Sequence, residues 1–307
     1  MSNKSSKKRR TGSPMHASLG DKVFDTVNVI LLSLLTLITI YPLIFVLSAS
    51  LSDPLEVVTG RVYLLPRGLN IDAYKSVLGN ATIGRGYRNS IFYTCLGVSL
   101  SMTLTIFAAF GLSRPNLIGR KFFTIIITLT MFFSGGLVPL YLVVRSLGLI
   151  GKFWSIILPS AMSAYNMLIM RSYFMTSIPY SLQEASIIDG CTPWKMLIKI
   201  MLPLSKPVLA VIALFYGVAR WNSYFSAMLY LSSQKELWPL QLIIREIVIQ
   251  STTTEMMEVG LVSLEQIMAK EALKYTSIIV ASLPLLIAYP FIQKYFVKGV
   301  MIGAIKG

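Results

Sequence analysis

Charged side chains are so sparse along this chain that its apolar runs can be read directly. Six stretches, 26–52, 89–113, 122–144, 153–170, 207–234 and 275–293, carry no charge except Arg220. Crossing about 30 Å of hydrocarbon takes about 20 apolar residues in a helix, and five of the runs reach or approach that length. The run 153–170 qualifies when the long Arg171 side chain reaches back to the surface. The pattern predicts an all-α integral membrane protein with six transmembrane helices. They form one domain over 23–296, between a basic tail at 1–22 and a short tail at 297–307. Lys7, Lys8, Arg9 and Arg10 precede the first run. The apolar stretch from Val27 to Leu47 is longer than the roughly 7–15 residues of a signal-peptide core, so it reads as an uncleaved anchor.

Composition agrees. Hydrophobic residues make up 54% of the 307, charged residues only 13%, and mean hydropathy is +0.67. A soluble domain carries about 25% charged residues, which excludes an ordinary soluble enzyme and a disordered chain. Two cysteines, Cys95 and Cys191, give no disulfide framework, and a single histidine, His16, gives no basis for a histidine metal site.

The net charge of +15 reports orientation. With the N-terminus inside, the inner segments hold 15 basic residues against 4 acidic ones, and the outer segments 11 against 9. Positive charge resists translocation, so both termini are expected in the cytoplasm. The basic start then needs no nucleic-acid partner, although residues 4–10 also suit anionic lipid. Loops 51–88 and 235–274 fall outside, with a helix expected over 255–273. The 176–206 segment falls inside.

That inner segment has the most structured pattern between spans. Pro179 suits a first helical turn, and Ser181 with Glu184 has capping-box spacing. Gly190 follows as a helix stop. Thr192-Pro193 restarts a helix that ends near Pro203. Two short helices joined by a glycine turn are expected, with Leu182, Ile188, Trp194 and Leu197 giving them apolar faces. Such a knob suits docking into a partner or resting on lipid headgroups.

Within the spans, Arg220 is the single charge, and its cost in lipid requires a protein or water neighbour. At helical spacing Tyr216, Arg220, Ser223 and Tyr224 share a face, with Trp221 and Asn222 beside it. Aromatic rings and hydrogen-bond donors together suit a sugar, and Arg suits a carboxylate, as in a uronic acid. An interhelical bond from Arg220 to a backbone carbonyl, and plain packing for Trp221-Asn222, are the alternatives. Ser163, Asn166 and Met170 share a face of the fourth run, where a lone Asn also serves as interhelical glue. Gly135-Gly136 followed by Pro139 is expected to break the third run.

Several stretches together resemble one family. Glu184-Ala185-Ser186, Asp189-Gly190 and, after nine further residues, Ile200, Leu202 and Pro203 resemble the EAA loop of permease subunits of binding-protein-dependent ABC importers. The third motif residue, usually Ala, is Ser186 here. Ala109–Pro115, Phe132–Pro139, Trp221–Phe225 and the tail from Tyr289 to Gly307 extend the likeness over nearly the whole chain. They place it with the carbohydrate (MalG-like) group and its LplC/YtcP-like permeases. The resemblance implies the type I importer fold, a multi-pass location in the bacterial cell membrane, and sugar or oligosaccharide import. It also implies a second related permease, a cytosolic ABC ATPase dimer and an extracellular solute-binding lipoprotein as partners. Glu184, Ala185, Ser186, Asp189 and Gly190 would contact the ATPase, and Ile200, Leu202 and Pro203 would anchor that contact. The tail Lys298–Gly307 resembles tails that approach the ATPases, and a surface-lying basic end fits it equally.

The residues agree with an external motor. No phosphate-binding loop of the form G-x-x-x-x-G-K-[S/T] occurs, so no catalytic residue, cofactor or metal is assigned to this chain, and ATP with Mg is expected in the partner ATPase. All six runs lack the carboxylate usual in proton-coupled carriers. A secondary carrier using backbone carbonyls for sodium, or a channel, stays open as the alternative.

Overall fold

The computed structural model describes residues 19–257 and 264–304. Among these residues the chain is helical, with no strand. Helix α1 (Leu19–Ser50) leads through the short α2 (Pro54–Val58) and α3 (Asp72–Gly79) into α4 (Ala81–Ser113). Asp53 caps α2 and Asn80 caps α4, each side-chain oxygen accepting a backbone N–H of the first turn. α5 (Arg120–Phe132), α6 (Leu137–Ser146), the single-turn α7 (Trp154–Ile157) and α8 (Ala164–Thr176) follow. Next come α9 (Tyr180–Ile188), α10 (Pro193–Met196), a π-helical turn at Leu197–Met201 and α11 (Leu202–Leu204). α12 (Lys206–Trp221), α13 (Phe225–Tyr230), α14 (Leu240–Met257) and α15 (Leu264–Ala304) complete the described chain.

Among the described residues, three helices are long and apolar enough to cross a bilayer unaided: α1, α4 and the Ile267–Pro290 part of α15. Two further pairs qualify only as bent units. α5 and α6 meet at 114°, and Pro193–Leu204 meets α12 at 83°. The first bend falls at the expected glycines, with Gly136 at φ +85°, a conformation that suits a residue without Cβ. The run 153–170 is not one helix, because 158–163 is irregular between α7 and α8. Pro159 contributes to this, since its ring denies the backbone a donor, while Leu158 itself keeps helical angles (φ −69°, ψ −44°). The run 207–234 is also interrupted, at 222–224. Helix α15 starts at Leu264, and 258–263 of the expected 255–273 helix lie outside the described residues, as do residues 1–18 of the tail with His16, and 305–307.

α4 packs against both α8 and α12, while α15 packs on α1, α12 and α14. The buried residues of α4 include Gly97, Ser101, Thr105 and Ala109, four apart, so one helix face is small enough for close approach. Met167, Met170 and Phe174 of α8 meet Ile212 of α12 in the main apolar cluster, which also takes Met196, Leu197 and Met201. α1 is the opposite case: none of its most apolar 18-residue window is buried. Its leucines and isoleucines face outward, as lipid-facing side chains do.

Candidate functional site

A cavity of about 550 Å³ opens where α4, the 156–166 segment and α12 converge. Ser90 and Tyr93 line it from α4, Ser160, Ser163 and Asn166 from the broken fourth run, and Tyr216, Arg220 and Ser223 from α12 and the turn after it. The irregular backbone at 158–163 therefore sits where it borders a cavity, the setting in which such backbone is tolerated at membrane depth.

Arg220 is the charged group of this wall. Its Nη2 donates to Ser101 Oγ at 2.9 Å, to the Ser160 carbonyl at 3.0 Å and, more weakly, to the Ile157 carbonyl at 3.5 Å. Nε is buried without a partner, and no hydrogen bond of the described residues reaches Nη1. Nη2 thus ties α4 to the irregular segment, Nε is closed in against Gly97 of α4, and Nη1 keeps its donor capacity. One turn earlier, Tyr216 Oη pairs with Thr105 Oγ1 at 2.7 Å and accepts the Ser163 N–H at 3.0 Å. Ser163 Oγ in turn accepts the Asn166 N–H at 3.4 Å as the N-cap of α8. Asn166 itself is buried.

The structure therefore brings Tyr216, Arg220 and Asn166 together and separates the remaining path candidates from them. Trp221 is buried, and its indole N–H donates to the Ala281 carbonyl of α15 at 3.0 Å. It packs beside Tyr87, whose hydroxyl donates to the Val280 carbonyl. Asn222 is exposed in the turn after α12. Tyr224 lies under the Arg245 guanidinium, 5.3 Å from ring centroid to Cζ. Sequence spacing missed Gly97 and Ser101. The regular recurrence of small residues along α4 was the available signal, and it matters because α12 lays Arg220 against it.

The 176–206 segment forms the expected pair of short helices. Gly190 has φ +71° between them, and Thr192 Oγ1 caps the second by accepting the Lys195 N–H at 3.4 Å. The capping box expected from Ser181 and Glu184 does not form: the N-cap falls two residues earlier, at Pro179, with no side-chain cap. Glu184, Ala185, Asp189 and Gly190 are exposed, and so are the large apolar Ile187 and Ile188. Gln183 and Ser186 form the buried side of α9. Ile200 and Leu202 are half-buried and Pro203 is exposed, at the bend into α12. The end of α4 meets this segment through Arg114, whose burial pushes its pKa down, an effect opposed by the neighbouring Tyr180. Among the described residues no cluster of three or more His, Cys, Asp or Glu could hold a metal.

Known proteins with the same chain architecture are close. The family described as "binding-protein-dependent transport system inner membrane component" matches residues 96–302. The polygalacturonan/rhamnogalacturonan transport system permease protein YtcP of Bacillus subtilis (strain 168) is 40% identical over 94% of this chain and 99% of its own. Protein LplC of the same organism is 36% identical over 95% of this chain and 98% of its own. A crystal structure of a bacterial ABC transporter involved in the import of the acidic polysaccharide alginate superposes with TM-score 0.81 and 36% identity, covering 92% of this chain and 100% of that one. This chain belongs to the family of inner-membrane permease components of binding-protein-dependent transport systems.

Proposed function

We propose that this chain is half of the translocation path of an ATP-driven importer for an acidic oligosaccharide. Six membrane passages with both termini cytoplasmic are part of the reading: α1, α4, the α5–α6 pair, the α7–α8 pair, the α12–α13 pair and α15. The 176–206 segment is then the cytoplasmic coupling loop. α9 presents Glu184, Ala185, Asp189 and the exposed Ile187 and Ile188 to a separate ATPase, which carries ATP and Mg. A second, related permease supplies the other half of the path. A solute-binding lipoprotein delivers the sugar on the side of loops 51–88 and 235–274.

The observation that carries this reading is the cavity wall built by Arg220 and Tyr216. Its guanidinium keeps Nη1 in reserve, and a carboxylate is the ligand that such a charged donor holds best. One relative is named for polygalacturonan/rhamnogalacturonan transport, and the matching solved structure for import of the acidic polysaccharide alginate, which supports an acidic sugar ligand here. Tyr93 and the hydroxyls of Ser90, Ser160 and Ser163 provide the neutral contacts that sugar hydroxyls need.

The test is affinity capture of the tagged chain from its native membrane. Recovery with a second permease and an ATPase, and uptake of oligogalacturonate but not of an uncharged oligomer of equal length, is the expected result. Capture of the chain alone, with uptake under an ion gradient, would point to a secondary carrier.

A further inference from the structure

α9 contributes no residue to the main apolar cluster, although Ile178 before it and Met196 after it both belong there. Its attachment to the bundle is polar instead. Gln183, 6% exposed, accepts a hydrogen bond of 2.7 Å from Arg114 Nη1. Ser186, on the same side, donates to the Gln183 carbonyl at 2.7 Å.

The arginine end of this bond is fixed from several directions. Nε and Nη2 of Arg114 reach Ser113 Oγ at 3.2 and 2.9 Å, and its guanidinium lies 4.6 Å from the Phe110 ring centroid. Arg171 of α8 donates to the Leu112 carbonyl at 3.0 Å, tying a third helix to the same point. No carboxylate pairs with Arg114 among the described residues. The charge is thus directed at a neutral amide, where a charge-assisted bond holds position firmly.

α4 continues from this point as one helix without proline. Ser101, which accepts from Arg220, lies about 20 Å back along it at 1.5 Å per residue. Thr105, which pairs with Tyr216, lies between. A displacement of α9 therefore reaches both cavity residues through a single stiff element.

We propose that the Arg114–Gln183 hydrogen bond is the link that passes movement of α9 along α4 to the Arg220 cavity, making both positioning residues for transport. This rests on the reading of α9 as the ATPase-docking helix.

The experiment uses the assembled complex in proteoliposomes and reads sugar imported per ATP hydrolysed. With Gln183→Leu, hydrolysis continues and the ratio falls about tenfold, the weight of roughly 1.4 kcal/mol. Gln183→Glu keeps an acceptor for Arg114 and retains the ratio. Arg114→Lys, tested alongside, lowers it in the same direction. A ratio within about twofold of the parent in both Gln183→Leu and Arg114→Lys overturns the link. So does failure of both variants to assemble, which would make the bond an assembly contact. Ile188→Cys in a Cys191→Ser background separates the two readings: cross-linking to the ATPase together with an unchanged ratio in Gln183→Leu rejects the link alone, whereas no cross-link from Ile188→Cys with Gln183 and Arg114 intact rejects the docking role of α9.

Discussion

Gly97 of α4 and Arg220 of α12 touch so closely that no methyl group fits between them. A Cβ at position 97 would lie 2.4 Å from Arg220 Nε and 2.5 Å from its Cδ. The glycine is what allows the guanidinium to cross α4 and reach Ser101. Gly97→Ala is therefore expected to push Arg220 out of its bonds with Ser101 and Ser160. Overpacking of this kind costs about 1–3 kcal/mol. Uptake should fall, and the thermal midpoint of the purified complex should drop. Gly84→Ala on the same helix, where the added Cβ meets nothing within 4 Å, is the control and should lower neither.

Arg220→Lys separates charge from geometry. Lysine keeps a positive group but loses Nη1 and the fixed planar geometry that aims Nη2 at Ser101 and two carbonyls. Import of an acidic oligosaccharide is expected to fall about tenfold or more, equivalent to about 1.4 kcal/mol, with the complex still assembled. Size-exclusion chromatography and labelled uptake, run together, check this. Dissociation of the complex would assign Arg220 a purely structural role.

Tyr216→Phe removes the hydroxyl shared by Thr105 and the Ser163 N–H. Thr105 is fully buried, so its hydroxyl would lose that partner, at a cost of about 1–3 kcal/mol. A lower thermal midpoint is the expected outcome. Trp221→Phe should also lower it, through loss of the bond to Ala281, while the preference for acidic over neutral sugar stays as in the parent. Competition uptake with paired oligomers measures that preference.

These cases show what the chain discloses before it folds. Charge-free runs located α1, α4 and α15 because length and apolarity are local properties. The same criterion joined α7 to α8, since a missing charge says nothing about backbone continuity. Pro159 and the Ser163 cap were the signals for that break. Gly135-Gly136 did mark the bend between α5 and α6. Helical spacing set Trp221 beside the Tyr216–Arg220 face but could not supply its partner, because the Ala281 carbonyl lies 60 residues away. Gly97 carried no message alone; its meaning appears only when Arg220 lies across it.

Gly190→Pro tests the turn after α9. At φ +71° proline cannot follow, since its ring holds φ near −65°. Insertion and assembly of the spans should persist while transport is lost. Protease accessibility of the membrane-inserted chain and uptake in the same vesicles report the two outcomes separately.

The central claim is that this bundle is driven from outside by nucleotide hydrolysis. Uptake of labelled oligogalacturonate into proteoliposomes, with and without the companion ATPase and ATP, addresses it most directly. Transport that requires both, and stops when hydrolysis is blocked, is the predicted result. Uptake by this chain alone down or against an ion gradient, with no nucleotide present, would contradict the account.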